Sequence, residues 1–225
     1  MTLIRNLDDR LFFAINDLAR NTGWLHPVLV DFAKYGVVLF GLLLLAGLFY
    51  ARSRDSRTLA AAGWSGVATL IALGVNQPVV NSVHEARPYE THPGILLLVS
   101  RSVDYSFPSD HGVMAGAVAA GLFLVWRRLG ALALAAALLM AFARVYVAAH
   151  YPWDVLAGLL LGAGVTGAGW LALRAPLTAL TAWLRRWRGL AGVFAPSEHL
   201  TAPSVAVETR PCYAGTNNAS SSRSK

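Results

Sequence analysis

Five stretches of about 15 to 23 mostly uncharged residues follow one another along this chain: Val28 to Tyr50, Leu59 to Val80, Gly112 to Trp126, Leu129 to Ala149 and Val155 to Leu173. A helix needs about 20 apolar residues to cross the hydrocarbon core of a bilayer, and there every backbone polar group must be satisfied within the protein. The chain therefore reads as an all-α, polytopic membrane helix bundle with about five transmembrane helices. Its composition agrees: 56% hydrophobic against 14% charged residues is too apolar for an ordinary soluble domain. The window opening at Gly112 is the shortest. It spans only if its outer end starts below the headgroups, with Pro108 to His111 as its first turn.

The flanks differ from the spans. Leu3, Leu7, Leu11, Ile15 and Leu18 recur every three or four residues, with Ile4 and Phe12 beside them. This pattern predicts an amphipathic helix over residues 1–22, lying either in the interface plane or on the protein's own outer face. Charged residues interrupt that segment from Arg5 onward, so no cleavable signal is expected. Residues 23–190 form the membrane-embedded domain. Past Leu173, Leu180, Trp183 and Leu184 give way to Arg185, Arg186 and Arg188, which predicts a juxtamembrane helix. Residues 191–225 have no apolar period, and a disordered cytoplasmic tail is expected there. The lone Cys212 lies in it, which excludes an intramolecular disulfide framework and a cysteine metal cluster.

The formal net charge is +7. Arg52, Arg54 and Arg57 lie between the first two spans, Arg127 and Arg128 between the third and fourth, and Arg174, Arg185, Arg186 and Arg188 after the fifth. These three places share one side of the membrane, and the positive-inside bias makes that side cytoplasmic. The positive charge is thus a topology signal, with anionic lipid attraction as a secondary use, and no nucleic-acid partner need be invoked. The opposite face receives the N-terminal helix, the loop from Asn81 to Phe107 and the turn from His150 to Trp153.

Three polar segments fall on that outer face. Pro108 and Ser109 suit the start of a helix, whose free N–H groups at Asp110, His111 and Gly112 would form an anion site. His111 is an ionisable ring in the first turn of a span, where nothing structural requires it. Pro152 disfavours helix at Tyr151 and opens a new one, so His150 belongs in the corner between two spans with Asp154 within reach. A carboxylate bonded to one ring nitrogen leaves the other bare and nucleophilic. Arg144 lies deeper and snorkels toward a phosphate oxygen. Arg87 precedes the stiff Pro88, and its guanidinium fork matches phosphate oxygens. Each feature alone has a plainer use: a capped helix start, a capping pair at a turn, an ion pair between helices, or a loop arginine on headgroups.

Taken together, Arg87-Pro88, Pro108-Ser109-Asp110-His111 and Arg144-x5-His150-x3-Asp154 resemble the three-part signature of the type 2 phosphatidic acid phosphatase superfamily. Within it, Glu85 to Pro88, Ser106 to His111 and Ala143 to Val147 leading to His150-Tyr151-Pro152 look like the undecaprenyl pyrophosphate phosphatases of the bacitracin-resistance type. The resemblance implies that His150 attacks the terminal phosphorus, Asp154 orients it and His111 protonates the leaving oxygen. It also implies that Arg87, Ser109, Arg144 and the amides near Asp110 and His111 hold the phosphate, with no metal ion and no cofactor. The implied partners are a polyprenyl diphosphate and the surrounding membrane lipids. The implied setting is a bacterial inner (plasma) membrane, with the site facing out. Phosphatidylglycerophosphate, phosphatidate, a prenyl-phospho-sugar, or a catalytically silent lipid-binding role stand as alternatives. Three positions depart from the wider pattern: Val80 replaces a lysine, Asp110 a small residue and Ala143 a serine. Lys34 either compensates for the missing lysine or pairs with Asp31.

Overall fold

The structure, a computed structural model, describes residues 2–186, with side chains from residue 5 onward. The expected tail, Arg188 and Cys212 lie outside the described residues. The helices are α1 (Thr2–Asn21), α2 (His26–Ala51), α3 (Ser56–Val83), α4 (Pro88–Thr91), α5 (Asp110–Val125), α6 (Arg127–Tyr146) and α7 (Pro152–Arg186), with a 3-10 turn, Gly23–Leu25, before α2. The described residues are thus all-helical. Gly23–Ala51, Ser56–Thr91, Arg127–Tyr146 and Pro152–Arg186 are each long and apolar enough to cross a membrane.

The fifth apolar stretch behaves differently from these four. At 16 residues, α5 is about 24 Å long, less than the roughly 30 Å of a bilayer core. It need not meet lipid on all sides, because α3, α6 and α7 surround it and every residue from Gly112 to Ala119 is buried. Close approach to α7 depends on small residues four apart on both helices. A Cβ at Gly162 would collide with the Val113 carbonyl, and one at Gly116 with the Leu159 carbonyl. This contact brings the first turn of α7 to the start of α5, where Ser109 N donates to the Asp154 carbonyl at 3.1 Å.

Short connections gather the arginines at one end of the bundle. Asp55 caps α3 by accepting from Arg57 N and Thr58 N, Arg185 Nη2 donates to the Arg52 carbonyl, and Tyr50 stacks on Trp126 at 4.8 Å. The three polar segments lie at the other end. There α6 stops at Tyr146, short of the expected Ala149, because Ala148 takes a left-handed φ of 61°. That conformation costs an alanine about 1 kcal/mol and turns the chain so that His150 points back into the bundle. Pro152 then opens α7. Helix α7 passes through Pro176 to Arg186 without a break, so the expected separate juxtamembrane helix is instead the last turns of the same rod.

Helix α1 packs by a face other than its leucine stripe. Phe12, Asn16 and Ala19 are buried, whereas Leu7, Leu11 and Leu18 are exposed. Asn16 exchanges two hydrogen bonds with the main chain of Leu96, so α1 holds the long loop after α4 in place while Leu7, Leu11 and Leu18 face away from the protein. It also reaches α7: Asp8 Oδ1 accepts from Trp153 N at 2.9 Å.

Burial raises the Asp8 carboxyl to about 6, outweighing the bond from Trp153, and the nearby charges of Asp154 and Asp9 add to the shift. Because the folded value lies above the unfolded 3.8, the folded state binds this proton more tightly. The group's contribution to stability is complete at pH below the unfolded value and is lost as pH rises to the folded one. Asp8→Asn keeps an acceptor for Trp153 and removes the charge. The variant is expected to unfold at a higher temperature than the parent at pH 7 and at the same temperature near pH 3.5, as thermal melts in detergent would show.

Candidate active site

A cavity of about 480 Å³ opens at the end of the bundle away from the arginine-rich turns. Its walls come from α2, the loop after α4, the first turn of α5, the last turn of α6 and the corner before α7. Of the residues singled out in the sequence, Arg87, Asp110, His111, Arg144 and His150 line it, whereas Ser109 and Asp154 do not.

His150 sits at the centre, 3% exposed. Its Nδ1 is 2.9 Å from the Ser106 carbonyl, an acceptor, so that nitrogen carries the proton and Nε2 presents a lone pair. Two guanidiniums face that lone pair: Arg144 Nη2 at 3.2 Å and Arg87 Nη1 at 3.5 Å. Burial, then Arg144 and Arg87, hold the imidazole well below its ordinary range, so it is neutral at physiological pH.

Asp154 stands behind this ring, and here the structure corrects the expected contact. Its Oδ2 is 3.7 Å from His150 Nδ1, too far for a hydrogen bond. Ser106 lies between them: its hydroxyl donates to Asp154 Oδ2 in a short bond and its carbonyl takes the ring proton. Tyr151 N also donates to Asp154 Oδ2, at 2.9 Å. The carboxylate thus fixes the corner and holds Ser106, and reaches the imidazole through it.

The anion-facing groups are of two kinds. Ser109 is fully buried and caps α5, with Gly112 N on its hydroxyl at 3.5 Å, and the N–H groups of Asp110 and His111 in that first turn have no intrahelical acceptor. The Asp110 carboxylate turns toward α3, accepting from Asn76 Nδ2 at 2.7 Å and Gln77 Nε2 at 3.2 Å, while Asn76 also donates to the Pro108 carbonyl. Asn76 and Gln77 therefore hold the helix start in register with α3. Arg144 reaches one carbonyl, that of Ala33 at 3.4 Å, and its buried Nε is unpartnered. No carboxylate lies within ion-pair distance of it among the described residues. Lys34 also lines the cavity, with its ammonium 4.9 Å from the Tyr35 ring. Among the described residues it forms no ion pair with Asp31, contrary to one of the two expectations. No group of three or more His, Cys, Asp or Glu is placed to hold a metal ion among the described residues.

Three residues of the site were not read from the sequence: Ser106, Asn76 and Asp104, whose carboxylate meets Arg87 Nη2 at 3.1 Å. Asn76 had a signal, an amide side chain within an apolar span. Ser106 belonged to the motif but carried no chemical mark of its role. Asp104 had no signal at all.

Comparison with known proteins gives a consistent result. The PAP2 superfamily profile matches residues 61–177, more than half of the chain. Undecaprenyl-diphosphatase BcrC of Bacillus subtilis is 30% identical over 151 residues, which cover 67% of this chain and 76% of that protein. Bacitracin transport permease protein BcrC of Bacillus licheniformis is also 30% identical, over 67% of this chain and 73% of that one. Among solved structures, Aquifex aeolicus LpxE superposes with a TM-score of 0.54 at 25% identity, covering 72% of this chain and 93% of its own.

Proposed function

Because the chain belongs to the PAP2 superfamily of membrane phosphatases, we propose that it hydrolyses undecaprenyl, or another long polyprenyl, diphosphate to the monophosphate and inorganic phosphate. The observation that carries this reading is the bare Nε2 of a neutral His150 between two guanidiniums. An uncharged nucleophile aimed into a cationic cavity at membrane depth suits a phosphorus centre on a lipid. The relatives named for undecaprenyl diphosphate and for bacitracin support the choice of lipid. Recycling of the cell-wall carrier lipid on the outer leaflet of a bacterial inner membrane, and bacitracin tolerance through competition for one substrate, follow from it.

In this reading His150 Nε2 forms a bond to the terminal phosphorus as the bridging P–O bond breaks, and His111, which takes up a proton when the anionic diphosphate enters the cavity beside it, gives that proton to the departing oxygen of the lipid monophosphate. Arg144, Arg87 and the amides at the start of α5 hold the three equatorial oxygens, where positioning and electrostatics supply most of the rate. Ser109 shapes that start as its cap. Water then attacks the phosphohistidine, giving one proton to the His111 ring that donated earlier, and the P–N bond breaks to release inorganic phosphate and restore the neutral His150.

The test is phosphate release by purified protein in detergent with EDTA, comparing undecaprenyl diphosphate with phosphatidylglycerophosphate and phosphatidate. The expected result is a kcat/KM for the diphosphate about tenfold or more above the others. Preference for either phospholipid would replace the substrate assignment, and no release by folded protein from any of the three would favour a silent lipid-binding role.

A further inference from the structure

Arg87 and Arg144 meet the same ring nitrogen but differ in how many donors they have to spare. A guanidinium carries five N–H donors. At Arg87, Nε donates to the Asp104 carbonyl at 2.9 Å, Nη1 donates to the Ala149 carbonyl at 2.9 Å and reaches His150 Nε2 at 3.5 Å, and Nη2 faces Asp104 Oδ2 at 3.1 Å and the Tyr105 carbonyl at 3.4 Å. Every donor has a protein acceptor. Arg144 has a free, buried Nε and one long carbonyl contact. An entering oxyanion can therefore engage Arg144 at once, whereas Arg87 must first release something.

The acceptors around Arg87 are not equally able to leave. Three are main-chain carbonyls fixed in the loop and the corner, and a fourth is the nitrogen assigned as nucleophile. The fifth, the Asp104 carboxylate, is on a rotatable side chain that is 55% exposed, at the mouth of the cavity it helps to line. It is also the one that carries negative charge. Ser102 Oγ donates to its other oxygen in a short bond. Ser102 itself is tied to the Tyr89 hydroxyl through both its N–H and its carbonyl. A carboxylate leaving Arg87 thus retains a fixed hydrogen-bond partner and gains water.

We infer that Asp104 is a placeholder anion: in the empty cavity it occupies the position on Arg87 that a phosphate oxygen takes when substrate binds, and it returns to that position as inorganic phosphate departs. The inference rests on the reading of the cavity as a phosphate site. Asp104 keeps Arg87 oriented and neutralised between turnovers, and it lowers the affinity of the cavity for every oxyanion, product included. Free phosphate is thereby kept from occupying the site.

The experiment compares the parent with Asp104→Asn and Asp104→Glu. Inhibition by inorganic phosphate and by orthovanadate is measured together with KM, and thermal melts verify folding. Asparagine preserves the shape and an acceptor for Ser102 while removing the competing charge. Asp104→Asn is expected to tighten both inhibition constants and lower KM by about tenfold, the equivalent of one charge-assisted hydrogen bond. Asp104→Glu should stay near the parent. Unchanged or weaker inhibition in Asp104→Asn would mean that the carboxylate only holds Arg87 in place, and the inference fails. If neither anion inhibits the parent and neither binds it by direct titration, the phosphate reading of the cavity fails, and the placeholder fails with it.

Discussion

Replacing His150 by alanine is expected to lower kcat by about ten-thousand-fold or more, the scale of losing a nucleophile that acts as one unit with its supporting groups. The protein should remain folded, because the ring fills a cavity wall and is not part of the apolar clusters that join the helices. A simple positional role predicts a smaller loss, recoverable with glutamine, which is also neutral and can donate to the Ser106 carbonyl. Nucleophilic catalysis predicts no recovery. The two are separated further by reactions with a substrate carrying labelled terminal phosphate, quenched in alkaline detergent. The parent retains label on the polypeptide in an acid-labile, base-stable form, as expected of a phosphohistidine, and His150→Ala and His150→Gln retain none. Label on the alanine variant would assign the nucleophile to another residue.

How far the sequence could be read depended on whether a residue's role was local. The helical class and the positions of the spans followed from uninterrupted apolar length, which is a property of each segment alone. Segregation of Arg52, Arg54, Arg127, Arg128, Arg185 and Arg186 from the polar segments also followed, since it needs only alternation of helix direction. The start of α5 at Asp110 and of α7 at Pro152 was legible because Ser109 caps and prolines act on their own neighbours. The early stop of α6 was not, because an alanine gives no sign of taking a left-handed conformation. The packing of α1 stayed open between two alternatives for a related reason. Periodicity finds the apolar stripe, but the loop is held by Asn16, a polar residue whose value depends on Leu96, 80 positions away. The same limit applies at the site. Arg87, His111, Arg144 and His150 stand out because ionisable groups at membrane depth are costly. Asp104 and Ser106 are ordinary loop residues until the fold sets them against Arg87 and His150.

Ser106 also determines how Asp154 can act, and this gives a prediction with a sign of its own. If Asp154 accepted the imidazole proton directly, Ser106→Ala would leave that bond intact and cost little, and Asp154→Asn would carry the whole effect. In the arrangement observed, the Ser106 carbonyl accepts the proton and its hydroxyl binds Asp154 Oδ2, so the carboxylate works by holding the serine. Asp154→Asn is expected to lower kcat by about 100- to 1,000-fold with KM little changed, because it takes away the charge that steadies the imidazolium-like phosphohistidine and weakens the hold on Ser106. Ser106→Ala retains the carbonyl acceptor but loses the link, and a reduction of about tenfold is expected, the worth of one hydrogen bond to a charged partner. The double variant is the decisive measurement. Residues acting through one chain of contacts are non-additive, so Ser106→Ala should add almost nothing once Asp154 is asparagine. Multiplication of the two losses would mean that Asp154 and Ser106 support His150 by separate routes, and that the carboxylate closes its 3.7 Å gap to the ring when substrate binds.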